Sequence, residues 1–347
     1  MNGLQALDQW QVFMDSPTGA WLGFINAVYW LGSGIIYLLT PWVANKYGRK
    51  LAVYIGYIFL VIGVALCAGR HQAAFVLSRF FIGCASACFG STVPLLMNEI
   101  AYPTHRGIVN ALFWCGWHVG GTLAAFITFG TRDMASDWAW RLPAVLQIML
   151  PVLALPALII TPQSPRWLVD VGREDEAKAI LSRWHAGGEA HSELVNYEII
   201  EISETLHKEK QAHAAGSYAE MFRTPGNRHR LFISITLGIF CQWSGNGVVS
   251  YYLALVLKTV GITSTHDQTL ISACLKIWNL IFSLGAAFSV DRLGRRPLFL
   301  ASAAIMLVAF SIVTGLSGAF AETQNAPTGI AVVPFIFLFF SGYDIAL

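Results

Sequence analysis

Two cations, Arg79 and Lys276, lie inside long apolar stretches of this 347-residue chain. A charge at the centre of a bilayer costs ~3 kcal/mol or more, so such residues face a bundle interior or stretch toward its edge. Lys276 is read as snorkelling and is given no role. More charge chemistry sits in two short turns of matching pattern, Asn45-Lys46-Tyr47-Gly48-Arg49-Lys50 and Asp291-Arg292-Leu293-Gly294-Arg295-Arg296. Glycine permits a tight reversal there, and the cations can reach helix ends and neighbouring carboxylates. No nucleophile paired with a base, no metal-ligand cluster and no phosphate loop is present, so no enzyme and no cofactor is expected. All six cysteines (Cys67, Cys84, Cys88, Cys115, Cys241 and Cys274) fall in apolar segments, where they read as small buried hydrophobes.

The elements that position these groups are membrane helices. One span needs ~20 apolar residues, and eight candidates run Trp21–Val43, Leu51–Ala68, Ala73–Met97, Ile108–Phe129, Leu142–Ile160, Leu231–Leu257, Leu270–Val290 and Leu298–Phe320. A ninth, Gly329–Leu347, ends with the chain. Hydrophobic residues make up 55% and charged residues 12%, which makes the bilayer the solvent. The net charge of +2 gives no reason to expect nucleic acid.

Charge asymmetry orients the spans. Lys46, Arg49, Lys50, Arg106, nine Lys/Arg from Arg166 to Arg230, and Arg292, Arg295 and Arg296 fall in alternate loops. The other loops hold only Arg70, Arg132, Arg141 and Lys258, so the first set is expected in the cytoplasm. That orientation places Met1–Ala20 outside without a cleavable signal, an expectation that points to a first helix missing from this chain. Three parts are expected: a bundle over 1–161, a cytoplasmic linker over 162–230 with short amphipathic helices at Glu174–His185 and Leu194–Leu206, and a second, truncated bundle over 231–347.

The same turn at equivalent places in two bundles indicates a duplicated transporter architecture. With further motifs, the chain resembles the sugar porter family of the major facilitator superfamily, most closely its fungal lactose/hexose permease-like transporters. Those motifs are Arg79-Phe80-Phe81-Ile82-Gly83, Val93-Pro94 with Glu99-Ile100-Ala101, Arg106-Gly107, Pro162-Gln163-Ser164-Pro165-Arg166-Trp167-Leu168, Gln242-Trp243-Ser244-Gly245-Asn246-Gly247 before Tyr251-Tyr252, and Asp291–Pro297. The resemblance implies an all-α, polytopic fold of twelve helices in two bundles around a central substrate site. This chain would supply about helices 2–9 and part of the tenth.

Sugars present many hydroxyls, so their sites combine side chains that donate and accept hydrogen bonds with aromatic faces. The resemblance assigns substrate contact to Gln242, Asn246, Asn279, Trp114, His118 and Tyr251. Three departures from the family pattern bear on that site. Cys241 stands where a second glutamine is common. Asn246 lies one position early, which turns its amide by about 100° on a helix unless the chain breaks at Gly245. Trp114 occupies the fifth-helix glutamine position, with His118 one turn later on the same face.

Arg79 matches the arginine that pairs with a first-helix aspartate in proton-coupled members, where a nearby cation favours the ionised acid. The gating set implied is Arg49, Glu99, Arg106, Arg166, Asp291, Arg292, Gly294, Arg295 and Arg296. Asn45 and Gln163 replace two of the family's acids in that network. The implied function is transport of a hexose or disaccharide by alternating access with proton symport, in the plasma membrane. Its partners would be a small-molecule sugar, protons and membrane lipid. Two alternatives stand beside it: a non-transporting sugar sensor of the same fold, and a nonfunctional fragment of a transporter.

Overall fold

The structure is a computed structural model that describes residues 2–189, 192–215 and 220–346, with the side chains at 2, 212–215, 220, 221, 248, 290–292 and 346 outside that description. Every regular element among the described residues is helical. The first group comprises α1 (Gly19–Tyr47), α2 (Arg49–Cys67), α3 (Gln72–Ile100), α4 (Arg106–Thr131) and α5 (Trp138–Ile160). The linker contributes α6 (Glu174–His185) and α7 (Glu193–Ala215). The second group comprises α8 (Pro225–Trp243), α9 (Asn246–Thr259), α10 (Thr265–Leu293), α11 (Arg295–Thr323) and α12 (Val332–Ala346).

Eight of the described helices are long and apolar enough to cross a membrane, so the chain is a multi-pass membrane protein. Helices of 29 residues, such as α1, α3, α10 and α11, reach about 43 Å at 1.5 Å per residue, past the ~30 Å hydrocarbon core. Their outward faces carry exposed Leu38, Leu153, Ile160 and Leu307, as a lipid-facing surface requires. The span expected as one helix over Leu231–Leu257 is divided instead. Gly245 adopts φ +97°, a left-handed conformation open to glycine, and separates α8 from α9.

The first group packs through small residues, since van der Waals contact and not the hydrophobic effect joins helices in lipid. Gly83 of α3 lies against the Tyr29 carbonyl of α1, and Gly32 of α1 against the Phe80 carbonyl. A side chain at either position would collide with backbone. The Ser33 hydroxyl donates to the Gly83 carbonyl at 2.8 Å in the same seam.

At the end carrying Asn2–Gln5, Trp10 and Trp140 are fully buried with Phe75. The Asn2–Gln5 turn there reaches α4, α9 and α10, touching both groups. At the opposite end, Leu168, Ala177, Leu181, Val195 and Ile199 give the linker its own small core.

The two groups meet along α4 and α10, which run antiparallel in one register. Phe129 stacks near His266 at 5.5 Å, Gly121 faces Lys276, and Cys115 Sγ lies 3.3 Å from Ser283 Oγ. The residues whose chemistry matters lie along this seam and at the Gly48 turn.

Candidate functional site

Arg49 begins α2 immediately after Gly48, whose φ of +96° makes the reversal from α1. Its guanidinium makes two parallel bonds to Glu99 at the end of α3, Nε to Oε2 and Nη2 to Oε1, each 3.0 Å. Nη1 donates to the Ala44 carbonyl at 2.9 Å and to Asn45 Oδ1 at 3.1 Å. Both partners of the ion pair are under 10% exposed. This bidentate form fixes direction as well as distance, and it clamps three membrane helices at the end that carries the Gly48 turn.

The two departures in the gating motif take part in this turn as neutral groups. Asn45 accepts from Arg49, and its backbone carbonyl accepts from Trp167 Nε1 at 3.0 Å. Gln163 Oε1 accepts from the backbone N–H of Ser164 at 3.3 Å. Arg166 pairs with Glu209 of α7 at 2.6 Å rather than with a membrane-helix end. Arg106 donates only to the nearby Ala101 carbonyl. In the second turn Gly294 has φ +80°, and Arg295 and Arg296 lie exposed at the start of α11. The side chains of Asp291 and Arg292 lie outside the described residues.

His185 of α6 makes a contact with no signal in the motifs. Its Nδ1 lies 2.8 Å from Glu198 Oε2 and its Nε2 lies 2.9 Å from the Ile100 carbonyl. Both side chains are about 5% exposed or less. The pair fastens both linker helices to the residue next to Glu99.

Within the membrane, the expected substrate residues divide into groups. His118 and Asn279 come together through a residue that motif reading missed, Asp344 of α12. His118 Nε2 is 3.8 Å from Asp344 Oδ1. The Asn279 amide, oriented by its neighbours, donates to Asp344 Oδ2 at 3.2 Å and to the Leu275 carbonyl at 2.8 Å. Trp278 Nε1 donates to Ser341 Oγ at 2.6 Å and sets α12 against α10 beside this contact. Lys276 is half-buried here and interacts electrostatically with Asp344. That corrects its reading as a snorkelling residue, because its stem crosses Gly121, where the missing side chain leaves room. The signal for Asp344 was in the sequence: it is the one charged residue in the last apolar run, and an intramembrane acid is a functional candidate by default.

Tyr251 belongs to a second group. It meets Trp30 of α1 edge to face at 6.3 Å, and Trp30 meets Tyr29 in the same manner at 5.1 Å. The Arg79 guanidinium lies 5.3 Å over the Tyr29 ring, and the Tyr29 hydroxyl donates to Ser86 Oγ at 2.7 Å. Arg79 is half-buried, its buried Nε has no hydrogen-bond partner among the described residues, and its electrostatic neighbours are Tyr29, Cys67 and Tyr251. A cation over an aromatic face is stabilised by ~1–2 kcal/mol when desolvated.

Asn246, the first residue of α9 after the Gly245 break, accepts from Ser250 Oγ at 2.5 Å and faces the Tyr343 hydroxyl. Gln242 and Trp114 are exposed and join neither group in this conformation. The amides, hydroxyls and rings of α4, α9, α10 and α12 together suit a polyhydroxylated solute. They lie at the seam between two helix groups.

The fold is shared with solved structures of a major facilitator superfamily protein. The structure of the proton:xylose symporter XylE bound to 6-bromo-6-deoxy-D-glucose superposes with a TM-score of 0.77 at 24% identity, covering 93% of this chain and 69% of that one. A partially occluded inward open conformation of the xylose transporter XylE from E. coli gives 0.74 at 21% identity, covering 93% and 73%.

Residues 6–347 match the family described as Sugar (and other) transporter, and the chain belongs to that family. A high-affinity glucose transporter of Kluyveromyces lactis is 25% identical over 331 residues, 95% of this chain and 59% of that protein. Sugar transport protein 13 of Arabidopsis thaliana is 30% identical over 316 residues, 89% and 58% respectively. The chain thus spans less than two thirds of the length of these relatives.

Proposed function

We propose that the protein carries a hexose or disaccharide across the plasma membrane by alternating access, coupled to protons. The observation that carries this reading is the placement of polar side chains along the seam of two helix groups whose outward faces are apolar. Relative rotation of the groups would expose that seam to one side and then the other. The bundle over 1–161 and the bundle over 231–347 would be the moving bodies, with 162–230 as the cytoplasmic strap between them.

In this reading Asn279, Asn246, Tyr251 and His118 contact sugar hydroxyls or pack on the ring. Gln242 and Trp114 join them when the groups close on substrate. The Arg49–Glu99 clamp, with Arg106, Arg166 and the Asp291–Arg296 turn, would set the cytoplasmic gate. Arg79 would hold the first group's share of the coupling charge. Relatives that are glucose and sugar transporters support the substrate class. The likeness in fold to XylE, a proton:xylose symporter, supports the coupling to protons.

The test is uptake of radiolabelled D-glucose and lactose into proteoliposomes with and without an inward proton gradient. Saturable entry of either sugar, accelerated by the gradient, is the expected result. Entry no faster than into protein-free liposomes for both sugars refutes the proposal.

A further inference from the structure

We infer that Asp344 is the proton-carrying carboxylate of this transporter and that its proton governs sugar binding through Asn279. The inference rests on the transport reading above and adds to it the group and the direction of coupling.

Asp344 is 3% exposed in its side chain and lies in the membrane interior, where an isolated ion costs several kcal/mol. Its surroundings come from three helices and both bundles. His118 of α4 lies 3.8 Å away, beyond hydrogen-bond length, and its buried Nδ1 has no partner among the described residues. Lys276 of α10 supplies the countercharge without a direct ion pair among the described residues. Tyr343, on the same helix, interacts electrostatically with Asp344 and in turn with Cys241 and Tyr251. The charged residues of α11 (Arg295, Arg296 and Glu322) stand at its two ends, away from this depth.

A contact made of groups from both bundles cannot survive their separation unchanged. When the seam opens, water reaches Asp344 and the distance to His118 changes, so its proton affinity depends on conformation. Proton binding and bundle movement are therefore linked, whatever gradient drives them.

The link to substrate is the Asn279 amide. The ionised carboxylate holds its Nδ2 at 3.2 Å, and a charged acceptor holds a donor more strongly than a neutral one. On taking up a proton, Asp344 loses charge, releases that N–H, and leaves it free to donate to a sugar hydroxyl. Protonation thereby strengthens sugar binding, and by reciprocity sugar binding strengthens proton binding. Symport follows from this order, because the loaded carrier holds both solutes.

The experiment measures binding of radiolabelled D-glucose and lactose to the purified protein between about pH 5 and pH 8, for wild type, Asp344→Asn and Asp344→Glu. Each is also assayed for uptake with and without a proton gradient. If one proton is taken up with each sugar, the wild-type Kd rises by up to about tenfold per pH unit above the titration. Asp344→Asn is expected to show a Kd independent of pH and no gradient-driven accumulation, and Asp344→Glu to restore both. A flat wild-type profile, or an Asp344→Asn variant that follows pH like wild type, overturns the assignment while leaving transport standing. A wild type that neither binds nor moves either sugar overturns the transport reading and this inference with it. Misfolding of the asparagine variant is separated from loss of coupling by its pH-independent binding, which an unfolded protein cannot show.

Discussion

Removing Glu99 tests how strongly the cytoplasmic clamp holds the first bundle together. Glu99→Ala deletes two charge-assisted bonds of 3.0 Å each, worth ~1.5–3 kcal/mol apiece. It leaves a guanidinium that is 9% exposed with the Ala44 carbonyl and Asn45 Oδ1 as remaining acceptors. Those two acceptors offset part of the loss, so the net cost is placed at ~3–4 kcal/mol, inside the range for stripping one partner from a buried pair. At ~2 °C or slightly more per kcal/mol for a chain of this size, the melting temperature in detergent should fall by roughly 5–10 °C.

The double variant Arg49→Met with Glu99→Leu removes both charges and fills the space with apolar atoms. It should recover ~2 kcal/mol or more of that loss, because the penalty lies in the orphaned charge and not in the missing bond. The assay is thermal unfolding of wild type, Glu99→Ala and the double variant in one detergent. A Glu99→Ala protein melting within about 1 °C of wild type refutes the reasoning. So does a double variant no more stable than Glu99→Ala.

Three further outcomes follow from named contacts. Gly83→Val should force α1 from α3 and cost ~3 kcal/mol or more through overpacking, whereas Gly34→Ala, which meets open space, should melt near wild type; thermal unfolding compares them. His185→Phe should leave the Glu198 carboxylate buried with Oε1 already unpartnered, a loss of ~3 kcal/mol visible as faster proteolysis within the linker; unchanged proteolysis would show that this contact does not hold the strap. Restoring two acids, Asn45→Asp with Gln163→Glu, should strengthen the cytoplasmic lock and shift accessibility outward. Cysteine labelling from the two sides reads that shift, and equal labelling of variant and parent would sink the idea.

The spans were legible because membrane helices obey a length rule that single residues cannot override. Eight of the nine apolar runs in the sequence correspond to helices within a few residues at most ends. One run departs from this. Leu231–Leu257 reads as a single span because hydropathy averages over Gly245, while the backbone at that residue turns left-handed and starts a new helix at Asn246. The family motif pointed to the glycine, but only the dihedral angle decides whether it bends the chain. The tight turns at Gly48 and Gly294 were legible for the opposite reason, since spacing and residue type coincide there with the need for positive φ.

What the sequence could not supply was neighbourhood across the seam. Motifs place residues along one helix, and the chemistry depends on which helix each one faces. Lys276 looked like a cation free to reach the interface, yet Gly121, far earlier in the chain, makes room for it inside. Asn279 was found by motif as a sugar contact, and Asp344 by no motif, although the two share a hydrogen bond. The distinction has a physical consequence for specificity. An amide that must leave a carboxylate before it can meet a hydroxyl loses that bond in exchange for the new one, so substrate affinity is lower than contact alone would give. The same exchange makes affinity adjustable by a single proton. A site with Asn279 free of Asp344 would bind sugar more tightly and would have no means at that position of knowing which side of the membrane it faced.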